Sequence, residues 1–295
     1  MSSDSDHDRR TTNRQAWPEL AVLLVPLLAF VAVLGSIAAR HPAPSLRVCA
    51  DPNNLPFSDS LGRGFENRIA EMVARDFGRR LEYTWWPQRR GFARNTLRAG
   101  RCDVVIGVPS SYELASPTRP YYRSTYVFVT RAGRHAPVTS FDDPALRSMR
   151  IGIHLMGDDY ANSPAALALL RRGLGSRIVG YMIYGDYSRP HPPSALIDAV
   201  VNDDVDVAVA WGPLAGYFAK TSAVPLELTP VRPQIDLPFT PFAYDIAMGV
   251  RRGDTTWRAQ LDSELVRRRG EIQKILSDFG VPVVDARASR AGGRS

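Results

Sequence analysis

Residues 100–108, GRCDVVIGV, followed at residues 119–131 by RPYYRSTYVFVTR, decide how this chain folds. The apolar run CDVVIGV at 102–108 reads as a strand buried on both faces, the mark of a parallel sheet covered by helices. The second stretch carries a longer strand, STYVFVTR at 124–131, with no helix in front of it. Working back toward the N-terminus, LRVCAD (46–51) is a short apolar strand and PNNLPFSDSLGRG (52–64) a loop. FENRIAEMVARDFG (65–78) is a helix, with Phe65, Ile69, Met72, Val73 and Phe77 at helical spacing and Gly78 suited to its C-terminal cap. LEYTWW (81–86) is a second strand, and GFARNTLRAG (91–100) reads as a short helix. This βαβαβ series predicts a parallel sheet with right-handed crossovers.

Beyond residue 131 the series restarts with RIGIHL (150–155), a helix from Pro164 to Arg172, RIVGYMIY (177–184), SALIDAVVN (194–202) and DVAVAW (206–211). A second long strand, YDIAMGVRR (244–252), precedes one helical stretch at 255–280. Two α/β lobes joined by two crossover strands follow from this order. Lobe 1 takes residues 46–131 and 243–285, lobe 2 takes residues 132–242, residues 1–45 lead in, and residues 286–295 read as a disordered tail. Over residues 46–280 this organisation resembles the type II periplasmic solute-binding proteins, through GRCDVVIGV, RPYYRSTYVFVTR and DVAVAWGPLAGYFA together.

The leading segment points the same way. Residues 20–39 carry no charge and follow Arg9, Arg10 and Arg14, so they read as a signal peptide or an uncleaved signal anchor with a cytoplasmic N-terminus. Ser36-Ile37-Ala38 places small residues where a cleavage site needs them. Either way the remainder is expected in the periplasm. The chain has only two cysteines, Cys49 and Cys102, and an oxidising compartment permits one disulfide between them; two buried thiols are the alternative. The net charge of +7 is scattered, which gives no footprint for nucleic acid.

In open α/β sheets ligands sit beyond the carboxyl ends of the strands. That rule puts Asp51, Asn53, Asn54 and Phe57 in the cleft after the first strand. Trp86, Arg89 and Arg90 follow the second strand, and Pro109 and Tyr112 the third. Lobe 2 contributes Asp158, Asp159, Tyr160, Tyr184 and Trp211. Amino-acid-binding members of the superfamily carry a Glu-Arg pair ahead of PYY, hydroxyl residues at the start of the first lobe-2 helix, and often an acid at the last strand end. Here the matching positions hold Glu113 and Leu114, Asp158 and Asp159, and Trp211. Leucine cannot clamp a carboxylate, and paired aspartates repel one. The site therefore reads as an aromatic cleft rather than an amino-acid receptor.

RVCADPNNLPFSD, EYTWWPQRRGFARNTLRAGRCDVVIGVP, TRPYYRSTYVFVTR, YGDYSRPHPPSALIDAV and VAVAWGPLAGYFA narrow the resemblance to the MoxJ/XoxJ-type group. These are periplasmic binding-protein-like chains associated with pyrroloquinoline-quinone methanol and alcohol dehydrogenases. The resemblance implies a non-enzymatic accessory factor with no cofactor of its own, supporting maturation, activation or electron transfer. Its expected partner is the dehydrogenase or its c-type cytochrome, held through the aromatic cleft. Arg94, Arg98 and Arg101, spaced with Arg90 as one helix face, read either as a solvated surface or as a docking patch for an acidic protein. A transporter receptor for a hydrophobic or aromatic solute is the alternative, and a cyclohexadienyl-dehydratase-like enzyme using Glu113 or Glu66 is a third reading. His154 is the one histidine in a strand near the cleft and reads as a core residue. No set of Cys and His has metal-ligand spacing, and the Asp51–Asp59 loop suits Asx turns better than a cation site.

Overall fold

The computed structural model describes residues 44–155, 163–182, 188 and 192–285. The segment 20–39, Asp158, Asp159, Tyr160, Tyr184 and the tail 286–295 lie outside the described residues.

Nine strands carry the architecture: β1 (Ser45–Ala50), β2 (Arg80–Trp85), β3 (Val104–Pro109), β4 (Tyr122–Arg131), β5 (Ile151–Leu155), β6 (Ile178–Met182), β7 (Val207–Trp211), β8 (Leu226–Pro230) and β9 (Ala243–Val250). They lie in the order β2-β1-β3-β9-β4-β7-β5-β6, with β8 paired to β4. β1 runs parallel to β2 and β3, and β5 runs parallel to β6 and β7. Among the described residues the two parallel sets meet through β9 and β4. β4 pairs with β9 over Tyr122–Thr125 and with β7 over Tyr126–Val129, while β9 continues onto β3. β4 is thus long because it serves both sets, while β9 lies between β3 and β4.

Among the described residues seven α-helices cover the strands: α1 (Phe65–Asp76), α2 (Phe92–Asn95), α3 (Pro164–Arg171), α4 (Ala195–Val201), α5 (Gly212–Thr221), α6 (Thr255–Arg267) and α7 (Arg269–Asp278). The apolar stripe of α1 enters one core with Val48, Val104 and Met248, and the C-terminal helices add Trp257, Leu261, Leu265, Ile272 and Leu276 to it. Separate cores form around β5 and α3, and around α4 and α5. A smaller fourth cluster surrounds the disulfide that joins Cys49 and Cys102, with Phe92, Leu97 and Val105 packed about it.

Two helices differ from the sequence reading. The stretch 91–100 forms only the single turn α2, because Thr96 leaves helical geometry and its hydroxyl donates back to the Phe92 carbonyl at 2.7 Å. That turn lets Leu97 point fully into the disulfide cluster. Arg90, Arg94, Arg98 and Arg101 therefore do not share a helix face; they are exposed along a turn-rich segment. The stretch 255–280 bends at Arg268, whose guanidinium donates to both oxygens of Asp76 on α1, at 2.7 and 2.6 Å.

After α7 the chain crosses to α5 and the crossover strand. Lys220 Nζ donates to the Asp278 carbonyl at 2.7 Å, Ser124 Oγ donates to the Pro282 carbonyl at 2.6 Å, and Tyr217 stacks on Phe279 at 5.8 Å. A Cβ at Gly216 would run into the carbonyl oxygen of Gly280. Both atoms belong to the rigid contact, so neither yields cheaply. Gly216→Ala is expected to cost about 2 kcal/mol by forced separation of these segments. Urea midpoints read this; an unchanged midpoint contradicts the close approach.

Candidate functional site

The helix start that builds the site is fixed by one buried side chain. Asn67 Oδ1 accepts from the backbone N–H of Asp59 and of Gly64, both at 3.0 Å. The loop after β1 is thereby tied to the first turn of α1. Two ladder-like bonds continue the tie: Phe65 N–H donates to the Pro56 carbonyl at 2.8 Å, and Glu66 N–H donates to the Phe57 carbonyl at 2.9 Å. Phe57 and Glu66 are consequently held side by side.

They open onto a cavity of about 350 Å³ where the two strand sets meet. Gly107, Val108 and Pro109 bring the carboxyl end of β3 to it, and Asn54 and Gln88 form its rim. The crossover strands supply Tyr122, Tyr126, Tyr244 and Ile246, and lobe 2 adds Pro164 and Trp211. The register explains this grouping. Tyr126 lies opposite Trp211, Ile246 opposite Tyr122, and Tyr244 opposite Ser124, so their side chains project from one face. Trp211 meets Tyr126 at 5.5 Å and Tyr244 at 5.8 Å between ring centroids. Its indole packs against both the α1 core and the α3 core.

Of the residues expected in the cleft, Asn54, Phe57, Pro109 and Trp211 line this cavity. Asp51 is buried behind it, accepting from the N–H of Asn53 at 2.8 Å and of Gln88 at 2.7 Å, so it fixes the loop. Asn53 lies in the short pairing with Asp59. Trp86 and Tyr112 pack on the disulfide cluster. Arg89 and Arg90 are exposed, and Arg101 lies over the Trp86 ring at 5.9 Å. Glu113 is exposed and away from the cavity wall.

Tyr122, Tyr126 and Tyr244 were missed in the sequence because the strand-end rule ignores crossover strands; their alternation within YYRSTY and AYDI carries the signal. Glu66 was assigned only to the enzymatic alternative, although its place in the first turn of α1 faces the cleft. A Cβ at position 107 would overlap Glu66 Oε1, so glycine makes room for that carboxyl against β3. Among the described residues no side chain donates a hydrogen bond to it or pairs with its charge. Burial alone pushes its pKa up from 4.5 to about 8. Burial likewise pushes His154 down from 6.5 to about 3, which keeps it neutral in the strand. Among the described residues no His, Cys, Asp and Glu cluster could hold a metal ion.

The two shifts have opposite signs in stability. For Glu66, the unfolded chain loses its proton near 4.5 while the folded chain keeps it to about 8. Its contribution is full below 4.5 and falls as the pH rises toward about 8. For His154, the unfolded chain takes up a proton below 6.5 that the folded chain refuses down to about 3, so that contribution is lost as the pH falls through this window. Glu66→Gln is expected to flatten the decline on the alkaline side and leave the acid side unchanged. Urea midpoints measured across pH test this; an unaltered alkaline slope contradicts it.

No family model matches the chain. A protein of Methylorubrum extorquens named MoxJ is 33% identical over 258 residues, covering 84% of each chain. A MoxJ of Paracoccus denitrificans is 28% identical, over 84% of this chain and 94% of its own. The crystal structure of the periplasmic binding protein XoxJ from Methylobacterium extorquens superimposes with a TM-score of 0.67 at 35% identity, over 81% of this chain and 99% of that one. Its type II periplasmic-binding-protein fold is the one expected from the order of strands and helices.

Proposed function

The chain belongs to the MoxJ/XoxJ family of periplasmic-binding-protein-like chains, and from that premise we propose that it is a periplasmic accessory factor of a pyrroloquinoline-quinone methanol or alcohol dehydrogenase system. It holds a segment of the dehydrogenase, or of its c-type cytochrome, in the cleft between its lobes. It performs no chemistry itself and carries no cofactor. The observation that supports this reading is the composition of the cavity wall. A receptor for an amino acid needs a cation for the carboxylate, and among the described residues the lining includes no arginine or lysine. Five aromatic side chains take that space instead, offering apolar contact of the kind that anchors protein interfaces.

Two surface features favour a protein partner over a transported solute. Arg89, Arg94, Arg98 and Arg101 are all exposed on one turn-rich segment, which suits an acidic surface. The tip of a short hairpin leaves Leu237 81% and Phe239 89% exposed, two neighbouring apolar side chains that a protein surface could cover. Among the described residues no helix is long and apolar enough to cross a membrane. Deletion of the gene is expected to lower methanol- or alcohol-dependent dehydrogenase activity in periplasmic extracts, with restoration by the wild-type chain. Undiminished activity in the deletion strain, with growth on a specific solute impaired instead, would replace this reading with that of a transport receptor.

A further inference from the structure

The cavity wall is unbalanced in its hydrogen-bonding chemistry. Asn54 is 1% exposed, its Nδ2 donates to Gln88 Oε1 at 2.8 Å, and its Oδ1 lies buried with no donor among the described residues. The Glu66 carboxyl, on the same wall, also has no donor among the described residues. The buried Asn54 acceptor costs free energy while it is unpaired, and the Glu66 carboxyl opens onto the same cavity, so together they match a ligand that brings N–H groups and positive charge. The remaining wall is aromatic, and ring faces attract a cation. Among the described residues the wall carries no arginine or lysine to meet an anion.

We infer that the cavity receives a primary organic ammonium group without a neighbouring carboxylate, its charge met by Glu66, one N–H accepted by Asn54 Oδ1, and its hydrocarbon stem packed against Phe57, Trp211 and Tyr244. This rests on the reading of the interlobe cleft as the holding site, and it names the chemistry held there. A volume of about 350 Å³ suits one long side chain or one small amine, so a segment held at the cleft inserts a single side chain here and keeps its backbone outside the cavity. The chemistry has two sources, a lysine side chain of a partner segment or a free alkylamine.

The surroundings of Glu66 allow the charge to appear on demand. Tyr121 and Tyr122 face it from β4 and its approach, and Tyr83 faces it from β2. All three are pushed up by burial and stay neutral, and Tyr121 OH donates to the Ile106 carbonyl at 3.1 Å. Nearby Asp51 is held by two backbone N–H groups and Asp59 by Arg63 at 2.5 Å, so neither competes for the ligand. The empty site therefore keeps Glu66 protonated at neutral pH, and an arriving ammonium drives the proton out.

The test is isothermal titration of the full-length chain at pH 7 with n-butylammonium, Nα-acetyl-lysine N-methylamide, neutral 1-pentanol and butyrate, in buffers of different ionisation enthalpy. Expected is binding of an ammonium probe at least about tenfold tighter than 1-pentanol, no binding of butyrate, and release of about one proton per ligand. Glu66→Gln, checked for an intact thermal transition, is expected to lose the tenfold preference and the proton release together. Tighter binding of the capped lysine assigns the source to a protein segment, and binding of n-butylammonium alone assigns it to a free amine. Equal affinity for 1-pentanol and n-butylammonium, or binding without proton release in the wild-type chain, overturns the inference. Failure of every probe while the dehydrogenase still co-purifies with the chain removes this inference and leaves the accessory role standing; the reverse pattern removes the accessory role alone.

Discussion

Removal of the Cys49–Cys102 disulfide is expected to lower stability by about 4 kcal/mol, from the closure entropy of a loop with a sequence separation of 53. The bond joins β1 to the turn before β3, two strands that also pair directly at Cys49–Val105. Its closed loop includes α1, β2 and the segment 52–64, which is the part of lobe 1 that carries Phe57 and Glu66. Without it the unfolded ensemble gains freedom, while the native sheet and the Phe92–Leu97 packing remain. The double variant Cys49→Ala with Cys102→Ala is the better probe, since a single change leaves a lone thiol buried. Guanidinium midpoints with and without reductant read the effect. Equal midpoints would show that the bond does not form in the native chain. An oxidising compartment is the setting in which such a bond persists, in agreement with the periplasmic binding proteins it resembles.

The second large effect is expected at Trp211. Its indole touches the α1 core and the α3 core and meets Tyr126 and Tyr244 across the crossover strands. Trp211→Ala removes a side chain of that size from a junction whose neighbours are pinned by β-sheet pairing, so the space cannot collapse. A cost of about 3 kcal/mol is expected. Trp211→Phe keeps most of the ring contact and is expected to cost about half as much, because part of the aromatic surface survives. The ammonium preference depends on Glu66 and is expected to survive both changes in direction, weakened by the lost ring. A Trp211→Ala variant as stable as the wild type would place the indole in solvent and break the link between the two cores and the cavity.

How far the sequence revealed these features depends on which physical signal each one uses. The α/β order and the crossover strands were legible because buried strands and amphipathic helices write a strong periodicity. Trp211 and Phe57 were legible because they follow strand ends. The α2 region was not, because four arginines three or four residues apart imitate a helix face. What decides the backbone there is the inward turn of Leu97 and the back-bonding Thr96 hydroxyl. The bend at Arg268 was hidden for a related reason. It depends on a bidentate bond to Asp76, a partner 192 residues away. Glu66, named in the sequence only for the enzymatic alternative, was not placed in the binding cleft. The acid sought at position 211 enters the cavity from α1 instead, and only the three-dimensional closeness of Gly107 marks its seat. Tyr122, Tyr126 and Tyr244 alternate on strands that a strand-end rule passes over, and the register alone brings them together.

The most direct measurement of the central claim is recovery of the full-length chain from periplasm of cells oxidising methanol, with identification of bound proteins and small molecules by mass spectrometry. Expected is co-recovery of the quinoprotein dehydrogenase or its c-type cytochrome with the wild-type chain, and its reduction with Glu66→Gln. Recovery of the chain with a free solute and neither protein would contradict an accessory role and return the cleft to the receptors whose fold it shares.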